Sequence, residues 1–435
     1  MTRHRLHEVS NIQNLTSPIV EHYRSQLGTD STSVLDFPNL RGRALNLLRQ
    51  TLPIGKVENW KYTDLRKYFR SPFQLVCRPS PVSKEKIKPF MIADSPCVVF
   101  LDGFFFPELS VVEGLSISPV DEKVVGIVAN MERPGLTALN TAVMTDGVSI
   151  NVNGGKCTNI PIQILYFTTD DFEGECHTRI VLTVENECDA LLFERHISLG
   201  RAKGLINNVI EFSVGADASL QHIVLQQAGT DLHHISSRFG CLSRNAKVRG
   251  FQMVTGSALS RAETVVSLAC EGGRAKFSGI ALMRDRQHCD FTTDISHDAP
   301  NCHSSQVFKN VVAERARSVF QGRVYVARDA QSTEANQLNR NLLLSRQARA
   351  DAKPELIIHA DDVKCSHGAT VGDLDEEALF YLKSRGIPAD EARSLLIKGF
   401  ASELFEEIAN PALASLMEET LKKWLIKGWK ERVAA

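Results

Sequence analysis

The chain has 435 residues, 43% apolar and 23% charged, with a net charge of −1. That length exceeds one usual compact core, so two or three structural units are expected. The near-zero charge supplies no field toward nucleic acid or anionic membrane, and no apolar run approaches the ~18 residues of a bilayer span.

The opening MTRHRLHEVSNIQNL is basic but lacks an apolar core, so no secretory signal is read and a cytoplasmic protein is expected. The ten cysteines are scattered, with no Cys-x-x-Cys pair. That is the pattern of reduced thiols, most of them packed as small hydrophobes.

Residues 1–95 read as a helical region and linker. Leu40, Ala44, Leu47 and Leu48 share one helical face, and Pro53-Ile54-Gly55 stops it. In the ENWKYT segment (58–63), Trp60 and Tyr62 are expected to pin this region to the body, since amphipathic aromatics pack with their polar ends satisfied. Pro72, Pro79, Pro81 and Pro89, interleaved with Lys84, Lys86 and Lys88, mark a surface excursion. Val98 to Leu101 is a strand that turns at Asp102-Gly103 and resumes in Phe104-Phe105-Phe106.

From about residue 150 short β-like runs follow one another: 160–168, 179–184, 190–198, 205–214, 220–226, 248–254, 277–283 and 319–327. A polar residue, an alanine and then an alternating strand recur at Ala190, Ala218, Ala246, Ala275, Ala316 and Ala348. The gaps are 28, 28, 29, 41 and 32 residues. A small residue at near-constant spacing before each strand predicts stacked coils, a β-solenoid over 96–372. An antiparallel sandwich or barrel is the alternative, but few Asn-Gly or Asp-Gly hairpin loops join the runs. The longest gap predicts a loop insertion around 285–303.

After Gly372 the pattern becomes helical, which makes 373–435 a C-terminal helical domain. Asp375-Glu376-Glu377 opens a helix with acids at its positive end. A second stripe holds Ala392, Leu395, Leu396, Phe400, Leu404 and Ile408, and a third Leu413, Leu416, Met417, Leu421, Trp424 and Leu425. These helices are expected to pack on the solenoid end and keep one face for a partner. Lys422, Lys423, Lys427, Lys430 and Arg432 read as a solvated helix face.

Metal-capable chemistry concentrates in PELIIHADDVKCSHGATVG (354–372). Thiolate and imidazole suit iron and zinc. Cys365 and His367 are two apart, so in an extended strand they face one side. His288-Cys289 and Cys302-His303 are adjacent, and neighbours along a strand point to opposite faces. Asp361-Asp362 read as carboxylates bordering a turn. No P-loop, dinucleotide glycine fingerprint or His-Glu-x-x-His occurs, so no activity of those kinds is expected.

ADDVKCSHGATVG (360–372), followed by LFYLKSRGI (379–387), resembles the SufB/SufD family of the SUF iron–sulfur cluster assembly machinery. ENWKYT, KPEL (353–356), NQLNRNLLLS (336–345) and CHSSQVFKNVV (302–312) extend the resemblance over most of the chain. The DDVKCSHGATVG form, the helical N-terminal unit and the modest length resemble the SufD side of the family. The resemblance implies a mainly β fold: a right-handed parallel β-helix core flanked by N- and C-terminal helical regions. It also implies a non-catalytic scaffold of the SufBCD complex, not an enzyme, that aids iron entry. Its partners would be a SufB-type subunit, paired through the β-helices, and a SufC-type ATPase held by the C-terminal helices. No cofactor would be held tightly in isolation, and iron or a cluster would pass transiently at the SufB–SufD interface. His367 then becomes the leading cluster-assembly or metal residue, with Cys365 beside it. Leu379, Phe380, Tyr381, Arg385, Phe400 and Leu404 become the SufC-docking set. Ile357 and His359 depart from the family pattern, where an acid and an aromatic are expected. His359 is eight residues before His367, so an unbroken strand would put both on one face. Two other readings were open: a stand-alone metal-binding homodimer, and a β-helix enzyme acting on polysaccharide, which the missing export signal and few strand aromatics disfavour.

Overall fold

The computed structural model describes residues 18–27, 33–54, 57–154 and 160–433, with side chains of the last helix to 426. The opening segment, Gly55, Cys157 and the side chains of Lys427, Lys430 and Arg432 lie outside the described residues.

Two helices come first, α1 (18–26) and α2 (Pro38–Thr51). A short α3 (Lys84–Ile87) follows in the proline-rich segment. The early strands are β1 (Cys97–Leu101), β2 (Phe104–Phe105) and β3 (Ser116–Pro119), then helix α4 (Thr137–Val143). The coils that follow hold β4 (Asp146–Val152), β5 (Ile162–Thr168), β6 (Glu173–Val184), β7 (Asp189–Ser198), β8 (Lys203–Val214) and β9 (Ser219–Gln227). They continue through β10 (Asp231–Leu242), β11 (Lys247–Val254), β12 (Leu259–Leu268), β13 (Arg274–Met283) and β14 (His288–His297). The last rungs are β15 (His303–Val312), β16 (Arg317–Val326), β17 (Thr333–Leu343), β18 (Arg349–Ile358) and β19 (Val363–Gly372). Helices α5 (Glu376–Ser384), α6 (Ala389–Ser402) and α7 (Pro411–Val433) close the chain.

From β4 on, successive strands alternate between two sheets. One sheet runs β19-β17-β15-β13-β11-β9-β7-β5-β1-β2 and the other β18-β16-β14-β12-β10-β8-β6-β4-β3. Pairing within each sheet is parallel except at β1–β2 and β3–β4. The chain is therefore a parallel β-solenoid of about seven turns, with helices toward both ends. Each turn takes about 30 residues, as the Ser219–Asp189 side-chain contact between rungs shows.

The sequence punctuation explains the corners. Glu187, Asp217, Asn245, Asn301 and Ser332 all hold φ between 56° and 58°, the left-handed conformation that closes a tight turn. These corners stack: Asn245 Nδ2 donates to Asp217 Oδ1 at 2.9 Å. The alanines enter just inside the corner and join the luminal core with Val248, Phe277, Phe291 and Phe308.

The 41-residue gap is not an insertion. Residues 288–297 form the regular strand β14 between tight corners. Ala190, Ala218, Ala246 and Ala275 lead strands of the ten-stranded sheet, whereas Ala316 and Ala348 lead β16 and β18 of the other. The repeat changes sheet, which adds half a coil to the spacing.

Both outer faces are covered. The N-terminal region and α4 lie on the nine-stranded sheet, where Tyr23, Leu48, Trp60, Tyr68 and Leu139 pack with Leu205 and Ile235. Trp60 is the expected anchor: its Nε1 donates to the Pro134 carbonyl at 3.3 Å and Arg261 stacks on its ring. Tyr23 and Tyr68 both donate to the buried Glu175 carboxylate. The C-terminal helices do not cap the solenoid end. Ile397, Ala401, Leu404, Phe405, Leu413, Met417 and Leu421 pack along the flank of the ten-stranded sheet, on Phe193, Leu225, Phe251, Ile280 and Val311.

Candidate functional site

Because the C-terminal helices lie along the flank, the final coil stays uncovered. Strands β18 and β19 are the last members of their sheets. Neither is fully buried at any position. Each therefore presents an unpaired strand edge, and the lumen between them opens outward.

Register fixes where the side chains point. Ala335, Gln337, Asn339 and Asn341 of β17 pair with Cys365, His367, Ala369 and Val371 of β19. Paired residues of parallel strands share a face. Ala335 lies in an inner apolar cluster that Cys365 joins. Cys365 and His367 thus stand together on the luminal side of the last rung, as their spacing predicts, with His367 exposed. Partial burial raises the Cys365 thiol above its ordinary value, opposed by the Ala335 backbone N–H.

The other sequence candidates divide. His359 does not share a strand with His367, because β18 ends at Ile358 and β19 starts at Val363 in the other sheet. Its ring packs edge-on to Tyr325 at 5.5 Å. Asp362 is a corner residue that accepts from Ser332 Oγ at 3.0 Å. His288 faces outward to Thr63 at 3.0 Å while Cys289 enters the luminal core. Cys302 is likewise luminal, and His303 faces outward to Glu334 at 3.3 Å. Among the described residues, no group of three or more His, Cys, Asp or Glu converges on a metal position.

In the helical domain, Phe380 and Tyr381 are 73% and 57% exposed, and Arg385 lies 5.2 Å from the Tyr381 ring. Leu379 is half-buried. Leu404 is only 1% exposed and belongs to the flank contact. Phe400 is half-buried under the Lys309 ammonium, 5.0 Å from its ring. Both hold the domain to the solenoid, because the α6 stripe faces the ten-stranded sheet.

The lumen behind the last rung carries polar groups that the sequence reading did not single out. One luminal column of the ten-stranded sheet runs His222, Gly250, Phe277, Gln306, Gln337, His367. At its inner end the Glu194 carboxylate meets His196 Nε2 at 2.5 Å and His222 Nε2 at 2.9 Å, and His234 Nε2 meets His196 Nδ1 at 3.1 Å. Burial opposes the Glu194 charge, but the two imidazoles outweigh it and hold the carboxyl far below the usual range. Burial keeps His222 and His234 low. Phe277 separates this network from Gln306 and Gln337. The signal that finds Gln337 is the repeat itself, one coil of 30 residues before His367.

A model of the SUF system FeS cluster assembly SufBD core domain matches residues 167–400, over half of the chain. The chain belongs to the SufBD family. It is 32% identical to the iron-sulfur cluster assembly protein SufD of Escherichia coli, across 86% of this chain and 90% of that protein. It is 31% identical to a SufBD family protein of Synechocystis, across 87% and 88%. A chloroplastic protein of Arabidopsis thaliana, ABCI7, is 28% identical across 90% and 87%. Within the SufBD family the likeness is to SufD-type members.

Proposed function

We propose that this chain is a non-catalytic scaffold in iron–sulfur cluster assembly, working through the open end of its solenoid. The observation that carries the reading is the uncovered last coil, with Cys365 and His367 side by side at the luminal mouth. A bare parallel edge is a template for another strand. In a SufBD family chain the natural cover is the β-helix of a SufB-type subunit. That pairing would bring the partner's ligands to His367, which alone supplies too few donors to hold a metal. Iron and the growing cluster are then the cargo. The imidazole is a borderline ligand that holds iron and can release it.

The second contact is the α5 surface. Phe380 and Tyr381 project from a helix with no buried residue. Aromatics exposed together mark interaction sites. A SufC-type ATPase is the partner proposed for them.

Co-purification of the tagged chain with its SufB- and SufC-type partners tests both contacts. Val371→Asp, at the exposed rim of the last rung, should lose the SufB-type partner and keep the ATPase. Phe380→Asp should do the reverse. Loss of neither partner in either variant would contradict the reading.

A further inference from the structure

The proposed role of His367 leaves open what orients its ring, and the rung beneath supplies a candidate. Gln337 is the register partner of His367, one inter-strand spacing of about 4.8 Å away on the same luminal face. It is 3% exposed, and neither its amide oxygen nor its nitrogen has a hydrogen-bond partner. A buried amide left unpaired on both atoms is costly and rare.

The surroundings offer it few partners. The luminal neighbours on its own strand are engaged: Asn339 Nδ2 donates to the Phe308 carbonyl at 3.2 Å, and Asn341 Nδ2 donates to Asn339 Oδ1 at 2.6 Å. One rung deeper, Gln306 Oε1 accepts from Thr293, while its Nε2 has no partner and makes no bond to Gln337. Across the lumen stands Gly322, and a Cβ there would come within 2.8 Å of Gln337 Nε2. The glycine therefore makes room for the carboxamide to lie across the lumen just under the mouth. The polar group above it is the His367 imidazole.

We propose that Gln337 is the positioning residue for His367. Its carbonyl oxygen, unpartnered in this structure, accepts the imidazole N–H once the exposed His367 ring turns toward it, so that one fixed ring nitrogen keeps its lone pair directed at the open end. A histidine that binds metal commonly has its other ring nitrogen fixed in this way. The inference rests on the reading of His367 as the assembly residue, but it is tested without a cluster or a partner.

The test is nitrogen NMR of the full-length chain labelled with 15N-histidine, at a pH well above the ordinary imidazole value. The His367 signal is assigned by its loss in His367→Asn. In the wild type the two ring nitrogens should show the widely separated shifts of a single tautomer. Gln337→Leu should collapse them toward the averaged shifts of a free imidazole. Gln337→Glu, which keeps an acceptor at the same reach, should restore the separation, a rescue that mere filling of the mouth would not give. Should Gln337→Leu fail to fold, Gln337→Asn, polar but one methylene shorter, takes its place with the same expected collapse. Averaged shifts in the wild type, or identical spectra with and without Gln337, would overturn the proposal. Cluster formation in the assembled complex is read separately with His367→Ala, so failure of the tautomer lock and failure of the assembly role are distinguishable.

Discussion

Arg261 stacks its guanidinium 4.0 Å from the centre of the Trp60 ring while pairing with the Asp290 carboxylate beside it. Both charged groups are fully buried, and Thr63 of the N-terminal region also donates to Asp290. An aromatic lid over a buried ion pair clips the N-terminal region to the nine-stranded sheet. Trp60→Ala removes the lid and leaves a cavity, so a loss of about 3–5 kcal/mol is expected in urea unfolding. Amide exchange should quicken most in the N-terminal region if the clip is local.

Lys309 plays the matching part on the other flank. Its Nζ, almost wholly buried, donates to the Phe400 carbonyl at 2.8 Å and pairs with Glu403. Lys309→Met keeps the stem and removes the charge. A loss of about 1.5–3 kcal/mol is expected from the lost charged hydrogen bond. Limited proteolysis should then cut first in the 373–410 segment, while cleavage within the solenoid stays slow.

His297 makes the fold acid-sensitive. Burial in the lumen pushes its imidazole down to about 4, with Asp298 acting against the shift. The folded chain keeps the ring neutral to about pH 4, whereas the unfolded chain protonates it near the ordinary value of about 6.5. Stability from this group is therefore complete above pH ~6.5 and is lost as pH falls toward 4, by up to about 3 kcal/mol. His297→Gln should flatten that part of the curve of melting temperature against pH. An unchanged slope would show that other groups dominate.

Gly204 faces the backbone of the neighbouring rung so closely that a Cβ would sit 1.8 Å from the Gly174 carbonyl oxygen, and its φ is +139°. Gly204→Ala combines left-handed strain with a backbone clash. A loss of about 2–5 kcal/mol is expected, measured by chemical unfolding.

Most of the solenoid was legible from strands that keep several apolar luminal residues, such as Ala190 and Leu192 of β7, Ile210, Phe212 and Val214 of β8, and Val248 and Val254 of β11. Among the strands left unread were β10, β12, β14, β15 and β17. They carry His234, Ser236 and Arg238, then Thr264, Thr293, Gln306, Gln337, Asn339 and Asn341 on inner positions. A polar interior erases the apolar alternation by which a strand is recognised. The alanine repeat marked the coils but not which sheet each alanine leads, so the longest gap looked like an insertion. At the site, the two-residue spacing of Cys365 and His367 was enough to pair them. The break between Ile358 and Val363 that parts His359 from His367 has no glycine or proline to mark it. The flank packing of Leu404 was invisible for a different reason. An amphipathic stripe reports that a helix has a partner, not which surface it is.

The most direct test is anaerobic reconstitution of the complex formed with SufB- and SufC-type partners, wild type against His367→Ala, read at the iron–sulfur absorption bands. A mutant that assembles the full complex but forms little cluster is the predicted result. It would place His367 in the chemistry of an otherwise intact scaffold. Wild-type cluster formation by the mutant complex would contradict the account, because the open end would then serve only to hold the partners together.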